Sequence, residues 1–401
     1  MRFIENGPSI PDELLTARDE GRVVLFCGAG VSRARAGLPD FFGLAEIIID
    51  KLGVQEDSTI HAILKEAKEI GKRCGEHGLI AADRIFGLLE REFHISDIER
   101  VVAERLKPPG NVDLSAHQIL LDLATTSEGK VRLVTTNFDR MFNDCDPKLK
   151  IMKPPRLPNP FDPNEFDGIT YLHNCVNSDY SGTDGNGFIL TSSAFGQAYL
   201  SEGWATEFFK QVLEKYVVLF IGYSADDPPI HYLLEAINRR DTQVNRIYAF
   251  QEGSADEAIK RWYHKGVIAI HYEDQEHRSL WESLKAWSER AKNPEKWYKS
   301  VIDLADKGPG NLKPHERGQV AHIISTIEGS RLISTSNPPI PAEWLCVFDS
   351  RRRYAIPGCR DMLSSDKEYI DPFSIYRIDT DIVPEKIEPD DFQAKREIPA
   401  A

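Results

Sequence analysis

Seven short runs rich in Val, Ile, Leu and Phe recur between residues 23 and 270 of this 401-residue chain, separated by helical patterns. Several are apolar throughout, which is typical of strands covered on both faces. Strands that alternate with helices predict a doubly wound, mostly parallel, Rossmann-like α/β sheet. The predicted strands are 23–27, 131–135, 169–172, 188–190, 217–221, 246–250 and 267–270.

About a hundred residues between the first two predicted strands contain no strong strand signal. Ile85, Leu88, Leu89 and Phe93 follow the spacing of a buried helical face. One crossover helix would need far fewer residues, so we predict a helical insertion over about 43–126 that covers the binding site. Its helices are predicted roughly over 43–52, 59–74, 79–93, 96–106 and 114–125.

The pattern changes after residue 292, where the chain becomes Pro-rich and less regular. We predict helices over 295–306 and 314–328 and an extended piece over 344–348. This division predicts a nucleotide-binding catalytic domain over 1–292 and a C-terminal accessory or assembly region over 293–401. The insertion and the C-terminal region both offer surfaces for assembly, and we expect a homo-oligomer.

The chain is acidic, with 49 Lys and Arg against 63 Asp and Glu, a formal charge of −14. An acidic surface repels phosphate backbones and disfavours direct nucleic-acid binding, and Arg351–Arg353 is interpreted as a solvated face. The six cysteines include no C-x-x-C pair, so no zinc module or other metal site is expected. No apolar run spans a bilayer and Met1–Pro8 has no secretory h-region, which predicts a cytoplasmic protein without membrane partners.

Glycines and polar side chains follow several of the predicted strands. Gly28–Ser32 is a Gly-rich turn that enters a helix, suited to a diphosphate, although a tight turn without a ligand is the alternative. Asn137 and Asp139 follow the second strand, where open α/β sheets place ligand residues; helix capping by Asn137 is the alternative there. His173 follows the third strand and has a side chain that accepts protons near neutral pH, although a structural histidine is common at such a position.

Five segments together resemble the sirtuin family, which cleaves NAD at the nicotinamide–ribose bond. They are Gly28–Ser32, Gly37–Phe41, Thr135–Asp139, Leu172–Asn174 and Gly222–Ser224. Phe42, Thr136 and Asn174 depart from the sirtuin pattern, which has Arg, Gln and Gly there. Leu190–Phe195 is similar to a pattern of bacterial sirtuin-like defence proteins, with a Ser-capped helix as the alternative.

The resemblance implies NAD⁺ as substrate, with Asn137 and His173 as the catalytic residues. Asn137 would position the ribose or the attacking water, His173 would be the general base, and Asp40 and Asp139 would hold the carboxamide or stabilise positive charge. The cofactor-binding residues that the resemblance implies are Gly28, Ala29, Gly30, Ser32, Pro39, Asp40, Phe41, Thr135, Asp139, Gly222, Tyr223, Ser224 and Asp227.

Without zinc cysteines, the resemblance is closer to bacterial antiphage NADases than to protein deacetylases. It implies an NAD⁺ hydrolase that depletes NAD⁺ during infection, and a HerA-type ring ATPase as a partner. Two alternatives stay open. An NAD-dependent protein deacylase would need a groove for acyl-lysine, and a non-enzymatic sensor of NAD or ADP-ribose would not need both Asn137 and His173.

Overall fold

A computed structural model of the chain describes residues 1–74, 80–225, 227, 233–234, 247–349 and 376–379. Its centre is a seven-stranded sheet in which all strands run parallel. The strands are β1 (Val23–Cys27), β2 (Arg132–Thr135), β3 (Ile151–Met152), β4 (Gly168–Tyr171), β5 (Val217–Ile221), β6 (Ile247–Glu252) and β7 (Ile268–Tyr272). The predicted fold class is confirmed.

The strand order is β3-β4-β2-β1-β5-β6-β7. Apart from the two-residue edge strand β3, this is the Rossmann order, in which the chain winds outward from β1 in both directions. Leu25 of β1 pairs with Leu133 of β2 on one side and with Leu219 of β5 on the other. The direction of winding reverses between β1 and β5, so ligands are expected beyond the carboxyl ends of these strands.

Burial explains why the strands were recognisable. All five residues of β1 and all five of β5 are buried. Because successive side chains of a strand point to opposite faces, helices must cover both faces of the sheet. On one face, the Phe26 ring meets the Phe209 ring, with centroids 5.2 Å apart.

Two of the predicted extended segments are wrong. Phe188–Leu190 forms no strand. It is a buried segment, and Ile189 N–H donates to the carbonyl of His173. Its apolar composition reflects burial and not strand pairing. Residues 344–348 form a short helix that buries Trp344 and Val347, three positions apart. The strand β3 was not predicted, because two residues carry no periodicity.

The helices between β1 and β2 match the predicted insertion closely. Beyond the sheet, the described part of the chain is mainly helical. The helices are α1 (Asp12–Asp19), α2 (Ala29–Ala36), α3 (Phe41–Lys51), α4 (Thr59–Cys74), α5 (Ala82–Glu92), α6 (Ile95–Arg105), α7 (Ser115–Ala124), α8 (Met141–Cys145), α9 (Ser192–Gly196), α10 (Trp204–Lys215), α11 (Ala255–Trp262), α12 (Arg278–Lys292), α13 (Pro294–Ala305), α14 (Pro314–Ile324), α15 (Ile327–Ser334) and α16 (Trp344–Phe348). A π-helix (Gln197–Ser201) directly follows α9.

The chain divides into two compact units. One is Asn6–Pro294 and contains the sheet and the insertion; the other combines Met1–Glu5 with Glu295–Ala401. The second unit has its own core, in which the Trp344 indole donates to the carbonyl of Ala305 over 2.7 Å. The assignment of catalysis to one unit and assembly to the other stays a prediction.

Within the described ranges, none of the helices has the length and apolar character needed to cross a membrane. The same ranges contain no group of three or more His, Cys, Asp or Glu side chains placed to bind a metal ion. The Arg351–Arg353 run lies outside the described residues.

Candidate functional site

The predicted site residues follow four neighbouring strands, β4, β2, β1 and β5, at one edge of the sheet. His173 comes two residues after β4, Asn137 two residues after β2, and Gly28 and Gly222 directly after β1 and β5. Leu172 N–H donates to the carbonyl of Thr135 over 2.8 Å, which ties the end of β4 to the end of β2. The topology therefore brings these segments together, although they are distant in sequence.

Three glycines join the turn after β1 to the turn after β5. A Cβ atom on Gly28 would lie 2.6 Å from the carbonyl oxygen of Gly222, and one on Gly30 would lie 2.9 Å from the same oxygen. Gly222 has φ +74°, and a Cβ there would lie 2.7 Å from the nitrogen of Val31. The glycines thus permit close packing of two backbone segments.

Two amides of the Gly-rich turn already have partners. Gly28 N–H donates to Ile221 O and Gly30 N–H donates to Gly222 O, each over 2.9 Å. A diphosphate at this turn would therefore rely on the start of α2, at Ala29, rather than on these two amides.

A buried polar network is centred on Ser32. Its hydroxyl donates to Asp139 Oδ2 over 2.8 Å and accepts from Asn137 Nδ2 over 3.1 Å. Asn137 Nδ2 also donates to the carbonyl of Gly28 over 3.2 Å. Asn137 therefore does not cap a helix. Asp139 does act locally, because its Oδ1 accepts from the N–H of Met141 at the start of α8.

The orientation of the Asn137 amide follows from these partners. A backbone carbonyl can only accept, so the Asn137 atom that faces Gly28 O must be the nitrogen. Within the described part of the chain, no hydrogen bond uses Asn137 Oδ1. The network thus holds the side chain by its nitrogen and leaves the carbonyl oxygen available as an acceptor.

The sequence reasoning missed His117 of α7. Its Nε2 lies 3.1 Å from Ser32 Oγ, and its ring packs edge-on against Phe142 with centroids 4.8 Å apart. One signal was available: His117 is a polar residue on a helical face that is otherwise buried and apolar. Eighty-five residues of sequence separate it from Ser32, and no local pattern spans that distance.

Thr136 and Tyr223, from the ends of two different strands, contact each other. Thr136 comes directly after β2, and Tyr223 comes two residues after β5. The two hydroxyls are 2.9 Å apart, and Tyr223 donates to the carbonyl of Cys27 over 3.2 Å. Thr135 donates to the same carbonyl over 2.8 Å. Thr135 and Tyr223 thus fasten the ends of β2 and β5 to the end of β1.

His173 is enclosed by aromatic side chains. It is 1% exposed, and its Nε2 lies 2.6 Å from the hydroxyl of Tyr199 on the π-helix. The rings of Phe195 and Phe138 lie with centroids 5.0 Å and 6.3 Å from the imidazole. Burial lowers the pKa of His173 to about 3, because the charged imidazolium would lose its hydration.

The turn after β4 contains an asparagine in a left-handed conformation. Asn174 has φ +68°, a left-handed conformation that Asn adopts more readily than most residues. Its Nδ2 donates to Gly187 O over 2.8 Å, and its Oδ1 accepts from Cys175 N–H over 2.8 Å. Both the backbone and the side chain of Asn174 therefore hold the turn beside His173.

The Pro39–Phe41 segment begins α3. Asp40 caps this helix by accepting from Gly43 N–H over 2.8 Å, and its other oxygen accepts from Arg33 over 3.2 Å. The Phe41 ring stacks on Phe86 of α5, with centroids 5.3 Å apart, and lies 6.3 Å from Phe195. The segment therefore connects the insertion to the aromatic group around His173.

The remaining predicted residues lie beyond β5 and β4. Ser224 N–H donates to Asp227 Oδ2 over 2.7 Å, which closes a local turn; Asp226 lies outside the described residues. Thr191, not a serine, caps α9 by accepting from Ala194 N–H over 3.3 Å.

Buried His173 gives folding stability a defined pH dependence. The folded pKa lies below the ordinary value, so the unfolded chain binds the extra proton between about pH 6.5 and pH 3, and stability falls as pH falls through that range. We expect the wild type to lose up to about 1.4 kcal/mol per pH unit relative to His173→Gln, which keeps a neutral amide in place.

Thermal unfolding of both proteins at about pH 7.5 and about pH 5 checks this expectation. A stability difference that does not change between the two pH values would show that His173 is not buried in its neutral form.

Comparison with known proteins gives a family match over a region that contains Asn137, His173 and Gly222. Residues 131–270 match the SIR2-like domain family. A curated relative, the uncharacterized protein y4cA of Sinorhizobium fredii (strain NBRC 101917 / NGR234), is 27% identical over 328 residues, which cover 77% of this chain. The chain spans only about a quarter (26%) of that relative's length.

A solved structure, the crystal structure of a Sir2 homolog–NAD complex, aligns with 73% of this chain and 97% of its own, at 13% identity and a TM-score of 0.36. The segments that follow β2, β4 and β5 all fall within residues 131–270. This part of the chain is therefore similar to SIR2-like domains.

Proposed function

We propose that the chain is an NAD⁺ hydrolase that releases nicotinamide and ADP-ribose. The observation that carries the proposal is the Asn137 amide, held by its nitrogen in a buried network with its oxygen left to accept a hydrogen bond. It lies beside the paired ends of β2 and β4, with His173 following β4. The match to the SIR2-like domain supports NAD⁺ as the ligand of this edge.

The chemistry assigns one role to each of these side chains. The bond between C1′ and the pyridinium nitrogen breaks, its electron pair goes to that nitrogen, and neutral nicotinamide leaves an oxocarbenium-like ribosyl cation. Asn137 Oδ1 accepts a hydrogen bond from the attacking water or from a ribose hydroxyl. The water oxygen bonds to C1′, and its proton passes to His173. Asp139, near Asn137, stabilises the positive charge on the sugar.

The role of His173 requires a change in its surroundings. Its Nε2 is occupied by the Tyr199 hydroxyl, and a base with a pKa of about 3 accepts protons poorly at neutral pH. Withdrawal of the segment that carries Phe195 and Tyr199 would expose the imidazole and return its pKa toward the ordinary value. The hydrolase is therefore proposed to cycle between this closed arrangement and an open one.

The enclosure of His173 by Tyr199 and Phe195 also favours one alternative, a non-enzymatic sensor of NAD or ADP-ribose. In a sensor His173 would remain a structural residue, bonded to Tyr199 and packed against Phe195. The oriented Asn137 amide counts against this alternative, because a buried side chain kept with an unused acceptor suits a reacting partner better than a packing role.

The proposed biological role rests on the resemblance to bacterial sirtuin-like defence proteins. The chain is proposed to act in the cytoplasm as the effector of a bacterial antiphage system that depletes NAD⁺, as a homo-oligomer paired with a HerA-type ATPase. Sedimentation of the purified chain alone and with such an ATPase tests the assembly. A monomer that ignores the ATPase would contradict it.

Nicotinamide release from NAD⁺ by the purified chain, without any peptide, tests the activity. We expect nicotinamide and ADP-ribose in equal amounts from the wild type, with the rate measured both alone and with the ATPase partner. Calorimetric binding of NAD⁺ without release under either condition would establish the sensor instead.

A further inference from the structure

His117 is joined to the candidate site by a hydrogen bond from its Nε2. It is fully buried, at 0% exposed, and lies on α7, which belongs to the helical insertion rather than to the sheet. Its Nε2 faces Ser32 Oγ at 3.1 Å, and Ser32 in turn contacts Asn137 and Asp139. Within the described residues, the hydrogen bonds of His117 therefore reach Asn137 and Asp139 through Ser32.

The direction of each hydrogen bond follows from counting protons. The Ser32 hydroxyl has one hydrogen and two lone pairs. The hydrogen goes to Asp139 Oδ2, and one lone pair accepts from Asn137 Nδ2. The second lone pair faces His117, so His117 Nε2 must carry a proton and donate it.

The other nitrogen of the ring agrees with this assignment. His117 Nδ1 is buried and has no hydrogen-bond partner within the described part of the chain. Burial lowers the pKa of His117, although Asp139 and Asp113 oppose the shift, so the ring is expected to carry one proton. A single proton is best placed on Nε2, which has an acceptor, rather than on Nδ1, which has none.

We propose that His117 is a positioning residue for NAD⁺ cleavage: as the neutral Nε2–H tautomer it donates to Ser32, which directs the Ser32 proton to Asp139 and holds Asn137 with its Oδ1 free. This inference rests on the proposed hydrolase function. Without the donor, the Ser32 hydroxyl can rotate toward other acceptors, and Asn137 loses one of the two contacts that fix its amide.

Three substitutions separate a hydrogen-bonding role from a packing role. His117→Gln places an amide nitrogen near the former Nε2 and retains the donor, whereas His117→Leu keeps similar bulk without a donor. His117→Asn places its amide nitrogen near the former Nδ1 and does not reach Ser32. His94→Leu, a histidine exposed at the start of α6, is the matched control.

We expect His117→Leu and His117→Asn to lower kcat for nicotinamide release by about 100-fold, with a much smaller change in KM, because a small misplacement of Asn137 acts on the transition state. His117→Gln should restore most of kcat, and His94→Leu should match the wild type. Equal loss in the Gln, Asn and Leu variants, tracking a fall in Tm, would show that His117 only fills space and would overturn the inference.

A second measurement does not depend on activity. In protein labelled with ¹⁵N-histidine, the His117 signals, assigned by their loss in His117→Gln, should show a neutral ring protonated on Nε2 at about pH 7. Protonation on Nδ1 would overturn the inference even in an active enzyme. An inactive wild type whose His117 is protonated on Nε2 would instead refute the proposed hydrolysis while leaving the hydrogen-bond assignment intact.

Discussion

Replacing Asn137 with alanine is expected to lower kcat for nicotinamide release at least about 100-fold, with NAD⁺ still bound. The substitution removes the Oδ1 acceptor at the reacting centre, whereas the turns after β1 and β5 keep their backbone contacts. It also removes the donor to Gly28 O and Ser32 Oγ, a loss of about 1–3 kcal/mol of folding stability. Steady-state kinetics and calorimetric NAD⁺ binding measure the two effects separately.

Asn143→Ala is the matched control for this experiment. Asn143 is also a buried asparagine, and its Oδ1 accepts from the Tyr171 hydroxyl over 2.7 Å. We expect a comparable fall in Tm with kcat close to that of the wild type. If both asparagine variants lose activity in proportion to their stability, Asn137 has a structural role and the proposed mechanism is wrong.

The strands were predictable because a strand that is buried on both faces has apolar residues at every position. The run Val217–Ile221 is an example, and each of its residues is buried. Phe188–Leu190 shows the limit of this reasoning, since an apolar run reports burial and not pairing with a neighbouring strand. Residues 344–348 failed for a similar reason, because five apolar residues fit one buried turn of helix as well as a strand.

The residues after each strand were predictable as a set, because parallel strands bring their carboxyl ends to one edge. The hydrogen-bond partners of each side chain at that edge were harder to predict from the sequence. Gly28 and Gly30 stay predicted contacts for a diphosphate, but the sequence did not reveal that their amides donate to the last residue of β5 and to Gly222. His117 and Tyr199 complete the surroundings of Asn137 and His173, yet both come from helices whose approach depends on tertiary packing.

The contact between Thr136 and Tyr223 is a second example of a partner that sequence reasoning could not supply. Neither residue alone indicates a contact with the other. Together they form a hydrogen bond 87 residues apart in sequence, which a single sequence does not reveal. With the bond from Tyr223 to the carbonyl of Cys27, this contact links the ends of β2 and β5 to the end of β1.

Removing the His173 imidazole, in His173→Ala, is expected to lower kcat about 10²- to 10⁴-fold, the usual contribution of a general base. His277→Ala is the matched control: the Nδ1 of His277 lies 2.9 Å from the Tyr272 hydroxyl, so it is another histidine bonded to a tyrosine, but it lies beyond β7 and outside the candidate site. Full activity in His173→Ala would remove the base from the mechanism.

Tyr199→Phe distinguishes a hydroxyl that covers the base from one that takes part in the reaction. The variant keeps the ring that stacks on Phe195, with centroids 5.8 Å apart, and removes only the group bonded to His173 Nε2. If the hydroxyl holds the imidazole closed, its loss favours the open arrangement, and we expect kcat at or above the wild-type value. A loss as deep as that of His173→Ala would instead make Tyr199 part of the proton-transfer path, and the closed arrangement around His173 would then be the working one.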